Sequence, residues 1–318
     1  MAGFSVWARG LFGTKKEPDP GTSLPHARTR SNGPESFAED NNGFALAMYG
    51  QLRQRPGNLF FSPFSIRTAL SMTQAGARDE TAAEKSQALR FSSSDETLHL
   101  SFAEIIRRLN AAGAGKVEMS VANSLWGQEG APLEPRFLDL VTRHYGGGMN
   151  LVDFRRCAEA ARVTINRWVE DKTRKKIREL IPSGSLNPDA RLVLVNAVYF
   201  KGMWLLQFRK TATRDEPFRL EGGGKVKAPL MHQQAQVRYV KTEGYQAVDL
   251  ACRGGDLSML VLLPDEKDGL RDLEKRFSAR MLHDCLAQIG VREVKLFLPR
   301  FKITWGTVDM RDPLNLCL

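Results

Sequence analysis

The residues that could support catalysis are scattered through this sequence. Its five histidines lie in unrelated contexts, at His26, His99, His144, His232 and His283. Nucleophilic catalysis needs a nucleophile held next to a base, and no such pair is recognisable. Walker, GxGxxG, GxSxG and HExxH patterns are also missing from the sequence. We therefore predict that the protein is not an enzyme and uses no cofactor.

The four cysteines give no signal for a metal site or a disulfide framework. They are far apart and form no CxxC pair, at Cys157, Cys252, Cys285 and Cys317. Zinc sites and small disulfide-rich folds show closely spaced cysteines. His283 and Cys285 alone are too few ligands for a metal. We predict no metal site, and free cysteines are compatible with a reducing compartment.

The chain has 318 residues, with 46 Lys and Arg against 36 Asp and Glu, and a formal net charge of +10. With 42% hydrophobic and 26% charged residues, its composition is that of an ordinary globular protein. No apolar run approaches the length of a membrane span. The positive charge could attract nucleic acid, an anionic polysaccharide or a membrane surface. A basic, solvated surface is the simpler interpretation.

The N-terminal stretch MAGFSVWARGLFGTKKEPDP does not have the pattern of a clear signal peptide. Arg9 interrupts its apolar part, and the cationic cluster follows that part instead of preceding it. Residues 14–36 are rich in Pro, Gly, Ser and charge. We therefore predict a flexible leader over residues 1–36 and a folded domain over residues 37–318.

Apolar periodicity predicts helices in most of the first half of the chain. Phe44, Met48 and Leu52 are four residues apart, as on one face of a helix. Ser62 and Pro63 are typical of an N-cap and of the first helical residue. The same helical period continues after them at Ile66, Ala69, Leu70 and Thr73; then at Leu98, Phe102, Ile105, Ile106 and Leu109; and within residues 133–145 and 158–179.

Strands are predicted at residues 59–61, at the alternating residues Val117, Met119 and Val121, and at NLVDF. In the second half, VRYVK, YQAVDLAC, LSMLVLLP and VKLFLP follow one another with short connections, apart from a helical stretch at 267–287. Helices followed by strands indicate an α+β fold with large sheets. Because no internal repeat is visible, we predict one interleaved domain.

Three polar residues stand inside apolar runs, Ser62 and Ser65 in FFSPFSI and Asn196 in VLVNAVYF. A buried amide without partners costs about 1–3 kcal/mol. Local cap or turn bonds could account for each polar residue, and such a bond is the simpler explanation for Ser62. Asn196, in the middle of a predicted buried strand, needs a partner from elsewhere in the fold.

Four segments together closely resemble the serpin family: NLFFSPFSIRTALSMTQAGARDETAAE, INRWVEDKTRKKIRELI, LVLVNAVYFKGMWLLQF and VKLFLPRFKI. They occur in the order of the family, and the resemblance runs from about Phe37 to about Asn315. It implies an α+β fold with three β-sheets and eight or nine helices. It also implies inhibition of a serine, or cysteine, protease by a trap in which the cleaved reactive loop inserts as a strand into the large sheet.

The resemblance also implies roles for particular residues. Ser62, Ser65 and Asn196 match the family's shutter, a polar cluster under the large sheet in which Asn196 would bond to the serines. Trp204 and Arg300 match residues of the breach, where strand insertion begins. Lys175 departs from the family, which usually has Gly there.

The basic segment KTRKKIR suggests a second possible function. It contributes the cations Lys172, Arg174, Lys175, Lys176 and Arg178, which could hold an anionic polysaccharide. Lys and Arg near a helix C-terminus also suit the helix dipole. The alternative to a protease inhibitor is therefore a non-inhibitory serpin-like protein that binds a polyanion or another protein.

The sequence given ends at MRDPLNLCL, shortly after LPRFKI. The resemblance implies that the family's reactive loop and last hairpin follow LPRFKI. We therefore expect this sequence to be a C-terminally truncated serpin without a reactive site, inactive as an inhibitor. By family analogy the expected location is extracellular, and the weak N-terminal signal makes the cytoplasm the alternative.

Overall fold

The computed structural model describes residues 4–8, 34–111, 117–221 and 223–303. Most of the predicted leader, with His26, lies outside these residues, as do Cys317 and the segment from residue 304 onward. No helix in the described ranges is both long and apolar enough to cross a membrane. The same residues contain no group of three or more His, Cys, Asp or Glu side chains placed to hold a metal ion.

Eight α-helices are present in the described residues, in agreement with the predicted number. They are α1 (Pro34–Leu52), α2 (Pro63–Gln74), α3 (Asp79–Ala88), α4 (Asp95–Ala111), α5 (Pro135–Tyr145), α6 (Phe154–Lys172), α7 (Leu270–Arg276) and α8 (Ala279–Gln288). The predicted helical stretch 267–287 is therefore two helices, and Ser278 caps the second by accepting a hydrogen bond from Met281 N.

Nine strands form two sheets within the described part of the chain. The strands are β1 (Phe4–Ala8), β2 (Val117–Gln128), β3 (Gly148–Val152), β4 (Leu192–Gly202), β5 (Thr213–Arg219), β6 (Lys225–Thr242), β7 (Tyr245–Ala251), β8 (Leu257–Pro264) and β9 (Gly290–Pro299). One sheet has the order β3-β2-β4; the other has the order β1-β8-β7-β6-β5, with β9 also paired to β6. All four strands predicted in the second half are confirmed, and β1 lies in the predicted leader, where no strand was expected.

The three-stranded sheet is covered on both faces by predicted helices. Leu98, Phe102 and Ile105 of α4 are almost completely buried in one cluster with Val121 and Leu125 of β2. Ile165 and Val169 of α6 pack on the opposite face against Trp126, Val195 and Ala197. Because both faces are buried, β4 is as apolar as the sequence suggested, and residues 192–200 lie in a sheet as predicted.

One local prediction near α2 is wrong, and one is confirmed with a different buried face. Residues 59–61 are not a strand, and Phe60 is 58% exposed, because no described strand pairs with them. The helix predicted over Ile66, Ala69, Leu70 and Thr73 is present as α2, but these residues are only partly buried and the helix buries a mainly polar face. That face consists of Arg67, Thr68, Ser71, Met72 and Gln74.

Helix α6 ends earlier than its basic sequence suggested. It stops at Lys172, so most of KTRKKIR is not helical. Lys175 N donates to Glu170 O at 2.7 Å and Arg174 N donates to Asp171 O at 3.4 Å. These two bonds are those of a Schellman closure. They require left-handed backbone, and Arg174 and Lys175 have φ of 50° and 60°.

We predict that Lys175→Gly stabilises the fold by about 1 kcal/mol. A residue with a Cβ loses roughly that much in the left-handed region, and Gly does not. The gain should appear as a higher urea midpoint in equilibrium unfolding. Lys175→Ala is the matched control, because it removes the same charge and keeps the Cβ. Equal gains from both variants would contradict a backbone origin.

Candidate functional site

The two serines of the predicted cluster lie at the start of α2. Ser62 is the N-cap residue, and its Oγ accepts a hydrogen bond from Ser65 N at 3.2 Å. Pro63 occupies the first helical turn. The local cap bond considered for Ser62 is therefore confirmed. Ser62 is exposed and Ser65 is half-buried in the described residues.

Asn196 finds its partner on the neighbouring strand. Its Nδ2 donates to Asn123 Oδ1 at 2.5 Å, and the two residues are direct partners in the antiparallel register of β2 and β4. Asn123 is only 4% exposed. The pair lies on the sheet face that also carries Val121, Leu125 and Leu194, which pack in the cluster with α4. An amide pair thus stands inside an otherwise apolar layer.

Asn123 extends this pair into a polar network. Asn123 Nδ2 donates to the backbone carbonyl of Tyr145, the last residue of α5, at 3.1 Å. The Tyr145 hydroxyl is 2.6 Å from His99 Nδ1 of α4, and Ser71 of α2 lies close enough to affect the pKa of Tyr145. Burial raises the pKa of Tyr145. Helices α4 and α5 and both strands are therefore linked through polar groups, and Ser71 of α2 lies beside them.

Two polar atoms of this network have no hydrogen-bond partner among the described residues. They are Asn196 Oδ1 and His99 Nε2, and both are buried. Burial lowers the pKa of His99 to about 4, with Asp95 opposing and His144 reinforcing the shift. His99 is therefore neutral near pH 7. Asn196 Oδ1 remains as a buried acceptor beneath β4.

The structure joins the predicted shutter residues only in part. Ser62 and Ser65 are bonded to each other, but no hydrogen bond in the described residues joins either serine to Asn196. The serine of α2 that reaches the network is Ser71. A cluster of Ser62, Ser65 and Asn196 stays a prediction. Sequence reasoning missed Asn123, although SVANSLW carries the same signal as VLVNAVYF, an amide within an alternating apolar strand.

Arg67 of α2 is a buried cation that sequence reasoning also missed. Its side chain is inaccessible to solvent, and it donates to the carbonyls of Leu89 and Arg90 at 3.0 and 3.3 Å. Its guanidinium lies 5.0–5.9 Å from the ring centroids of three phenylalanines, Phe37, Phe91 and Phe102. Burial lowers the pKa of Arg67 to about 10, so it remains charged at neutral pH and ties α2 to the end of α3.

The two residues assigned to the breach lie beside the six-stranded sheet. Trp204 forms an isolated antiparallel bridge with Cys252 and packs against the cluster that contains Leu298 of β9. Arg300 follows β9, is exposed, and donates its backbone N–H to Pro229 O at 2.9 Å. The role of both residues in strand insertion stays a prediction.

The five predicted polyanion-binding residues are all exposed, but they do not form a helix face. Arg174 pairs with Glu118 at 2.7 Å, and Arg178 lies 3.9 Å from Glu170. Lys172, Lys175 and Lys176 have no ion pair with any described residue. The free positive charge of this segment is therefore concentrated on three lysines.

Comparison with known proteins defines the class of protein to which this fold belongs. The family model described as serpin (serine protease inhibitor) matches residues 39–317. The leukocyte elastase inhibitor of Sus scrofa is 36% identical over 290 residues, covering 88% of this chain and 76% of the relative. Serpin B3 of Homo sapiens is 34% identical over 300 residues, with the same two coverages.

Comparison with solved structures also identifies serpins as similar in fold. A structure titled cleaved serpin 42Da has a TM-score of 0.82 and 34% identity, covering 89% of this chain and 76% of that one. Ovalbumin from emu (Dromaius novaehollandiae) has a TM-score of 0.83 and 29% identity, covering 87% and 76%. The chain belongs to the serpin family, and the resemblance found in the sequence is confirmed. Membership of a family of protease inhibitors agrees with the prediction that the protein is not an enzyme.

We predict that Asn123 and Asn196 are energetically coupled. Asn196→Leu should cost about 1–3 kcal/mol of unfolding free energy, because it leaves the buried amide oxygen of Asn123 without its donor. Asn123→Leu should cost more, because the Tyr145 carbonyl is then also left without its donor. Urea unfolding of the two single variants and the double variant gives the coupling energy, expected at about 0.5–3 kcal/mol. Additive losses would contradict the pairing.

We also predict acid sensitivity from His99. Its folded pKa of about 4 lies below the unfolded value of 6.5. The unfolded chain therefore binds the proton more readily between these values, and stability falls as the pH drops from 6.5 toward 4. The loss attributable to His99 should be roughly 3 kcal/mol.

His99→Gln should remove that part of the pH dependence when unfolding free energies are compared at pH 7 and pH 4.5. The exposed residue His283 provides the matched control. An unchanged slope in His99→Gln, or an equal change in His283→Gln, would show that His99 is not the titrating group.

Proposed function

We propose that this protein acts as a serine protease inhibitor through the strand-insertion trap of its family. The observation that supports this most directly is the position of β4. It is the terminal strand of the order β3-β2-β4, so its outer edge has no partner strand within the described residues. An unpaired strand edge presents backbone donors and acceptors to which another strand can pair.

The polar network beneath β4 suits such an edge. Insertion of a strand requires the sheet to open and close again without leaving buried polar groups unpaired. Asn196 is held by Asn123, and its free acceptor Oδ1 lies beneath the edge strand. A network with a spare acceptor can bond a further donor brought in by a neighbouring strand. We infer that Asn196, with Ser62 and Ser65 at the start of α2, supports this opening.

The target is proposed to be a serine protease, with a cysteine protease as the less favoured target. One relative carries the name leukocyte elastase inhibitor, and an elastase-like enzyme is therefore the first protease to test. The extracellular location, with the cytoplasm as alternative, stays a prediction.

A polypeptide of residues 1–318 is itself proposed to be inactive as a trap. The family resemblance places the reactive loop after LPRFKI, and β9, which contains the first two residues of that segment, ends at Pro299. Trapping requires a scissile bond on a long exposed loop as well as an edge to receive it. The ability of the sheet to accept a strand and the ability to trap a protease are thus separate properties, and they can be tested separately.

We predict that residues 1–318 form no SDS-stable complex with trypsin-like, chymotrypsin-like or elastase-like serine proteases. A chimera that joins residues 1–303 to the corresponding C-terminal part of the Sus scrofa leukocyte elastase inhibitor should form such a complex with an elastase. Gel shift after denaturation, together with residual protease activity, measures both outcomes.

The chimera also tests the site. Asn196→Leu in the chimera should lower the fraction of elastase trapped and raise the fraction of inhibitor cleaved without trapping. A complex formed by residues 1–318 alone would overturn the proposed inactivity. A soluble, folded chimera that elastase cleaves without being trapped would overturn the proposed scaffold function.

Binding of an anionic polysaccharide is the second proposed function. It is favoured by three exposed lysines on one short segment, Lys172, Lys175 and Lys176, which form no ion pair with any residue that the structure describes. Under this proposal the protein is a binding protein with a serpin scaffold and not an inhibitor.

We predict that replacing Lys172, Lys175 and Lys176 together by Ala weakens binding to a sulfated polysaccharide at least tenfold. The slope of log K against log salt should fall by about one unit for each lysine that no longer neutralises a sulfate group. The control replaces Lys225, Lys227 and Lys241, which are exposed and carry the same total charge. Equal losses in both triple variants would show that only net charge matters.

A further inference from the structure

The basic segment 172–178, at the end of α6, is fastened to the three-stranded sheet by an arginine. Side chains alternate along β2 and β4, so Glu118, Tyr199 and Lys201 lie on the sheet face that α6 covers. Arg174 Nη1 is 2.7 Å from Glu118 Oε2, and its Cζ lies 5.7 Å from the centroid of the Tyr199 ring. The side chain of Arg174 therefore joins the basic segment to both strands.

Glu118 has partners besides Arg174. The Tyr199 hydroxyl donates to Glu118 Oε2 at 3.2 Å, and Lys201 Nζ is 3.5 Å from Glu118 Oε1. If Arg174 were to leave, the carboxylate would keep a hydrogen-bond donor and a cation. Release of Arg174 therefore leaves no unpaired charge on the sheet, and the pair can be exchanged at little cost.

The position of Arg174 also suits an external anion. Its side chain is 62% exposed and that of Glu118 is 33% exposed, and ion pairs in contact with water contribute little to stability. A guanidinium binds two oxygens of an anionic group at once. The three exposed lysines named above lie within two residues of Arg174. A sulfated chain held by these lysines would therefore bring an anion within reach of Arg174.

We propose that Arg174 exchanges partners, pairing with Glu118 in the free protein and with a sulfate group in the complex with a sulfated polysaccharide. Glu118 is then an internal competitor that lowers the affinity for the polysaccharide, and binding detaches the segment 172–178 from β2 and β4. This inference rests on the proposed polysaccharide-binding function and adds a fourth cation to its site. The coupling is reciprocal, because whatever holds Arg174 on Glu118 weakens binding.

A double-mutant cycle on binding is the first test. Dextran sulfate is the probe, and titration calorimetry gives Kd for the parent chain, Glu118→Gln, Arg174→Gln and the double variant. Glu118→Gln should bind about two- to fivefold more tightly, the range expected for loss of a competing exposed ion pair. When Arg174 is already Gln, the same replacement should change Kd by less than about 1.5-fold, because distant charges are screened at physiological salt.

Glu170→Gln is the matched control for the cycle. It also removes a carboxylate beside the segment, one that lies 3.9 Å from Arg178. Its effect on Kd should be the same with Arg174 and with Gln at position 174. If Glu118→Gln also acts equally in both backgrounds, Arg174 is not shared and the inference fails, although polysaccharide binding stands. Absence of binding by the parent chain would overturn both proposals.

The salt dependence of binding separates the two partners of the pair. Arg174→Gln should lower the slope of log K against log salt by about one unit, because one cation no longer neutralises a sulfate group. Glu118→Gln should leave the slope unchanged while it raises the affinity. A slope unaffected by Arg174→Gln would show that Arg174 does not contact the polysaccharide.

Titration of Glu118, followed by ¹³C NMR of its labelled carboxylate, reports the exchange directly. Burial raises the pKa of Glu118, but the Tyr199 hydrogen bond and the charges of Arg174 and Lys201 bring it below its usual value. Saturating dextran sulfate should withdraw Arg174 and raise this pKa, and the rise should be larger in the parent chain than in Arg174→Gln. Equal rises in the two chains would show that Arg174 stays on Glu118, contrary to the proposal.

Discussion

The hydrogen bond between Asn123 and Asn196 is the contact on which the arrangement around the three-stranded sheet depends. Because side chains alternate along a strand, a slip of one residue between β2 and β4 would turn one amide to the opposite face. The pair would then be broken inside an apolar layer, where an unpaired amide is costly. The 2.5 Å bond therefore fixes the register of these strands. Through Asn123 and the Tyr145 carbonyl, it also fixes the position of α5 against the sheet.

Helix α2 meets this network with a buried face that is largely polar. Its hydroxyls bond mainly to the helix's own backbone: Thr68 Oγ1 donates to Phe64 O and Ser71 Oγ donates to Thr68 O. Such local bonds satisfy the buried hydroxyl groups of α2, and they do not require a particular partner on the sheet. Arg67 supplies the specific attachment on the other side, through the carbonyls of Leu89 and Arg90. The specific side-chain attachment of α2 is therefore to the residues that follow α3.

Sequence reasoning predicted helices and strands correctly where the spacing of apolar residues matched a single type of secondary structure. Phe44, Met48 and Leu52 are buried as their spacing predicted, and β8 is a strand as its apolar run predicted. It failed where the outcome depends on residues distant in sequence. Residues 59–61 have strand-forming side chains but no partner strand, and the end of α6 depends on a backbone closure that the helix-favouring Lys and Arg residues conceal.

At the candidate site, too, an interaction between sequence neighbours could be predicted and an interaction between distant residues could not. The Ser62 cap is local and was predicted, whereas the partner of Asn196 is 73 positions away and depends on strand register. A single sequence contains no direct signal of register between strands so far apart. The left-handed conformation at Lys175 could be suspected only because the resemblance placed Gly there.

Strands β5, β8 and β4 lie at or next to the edges of the two sheets, and each deals with exposure of its backbone in a different way. Strand β5 carries Pro217 among the charged residues Arg214, Asp215, Glu216 and Arg219, a sequence that discourages further pairing. Strand β8 has no such residues, and the chain's own β1 covers it. Strand β4 has neither protection in the described residues; it has a buried amide network beneath it. An edge that is unprotected and yet supplied with polar groups below it is suited to receive a strand, and this contrast favours β4 over β8 as the place where the fold accepts an inserted segment.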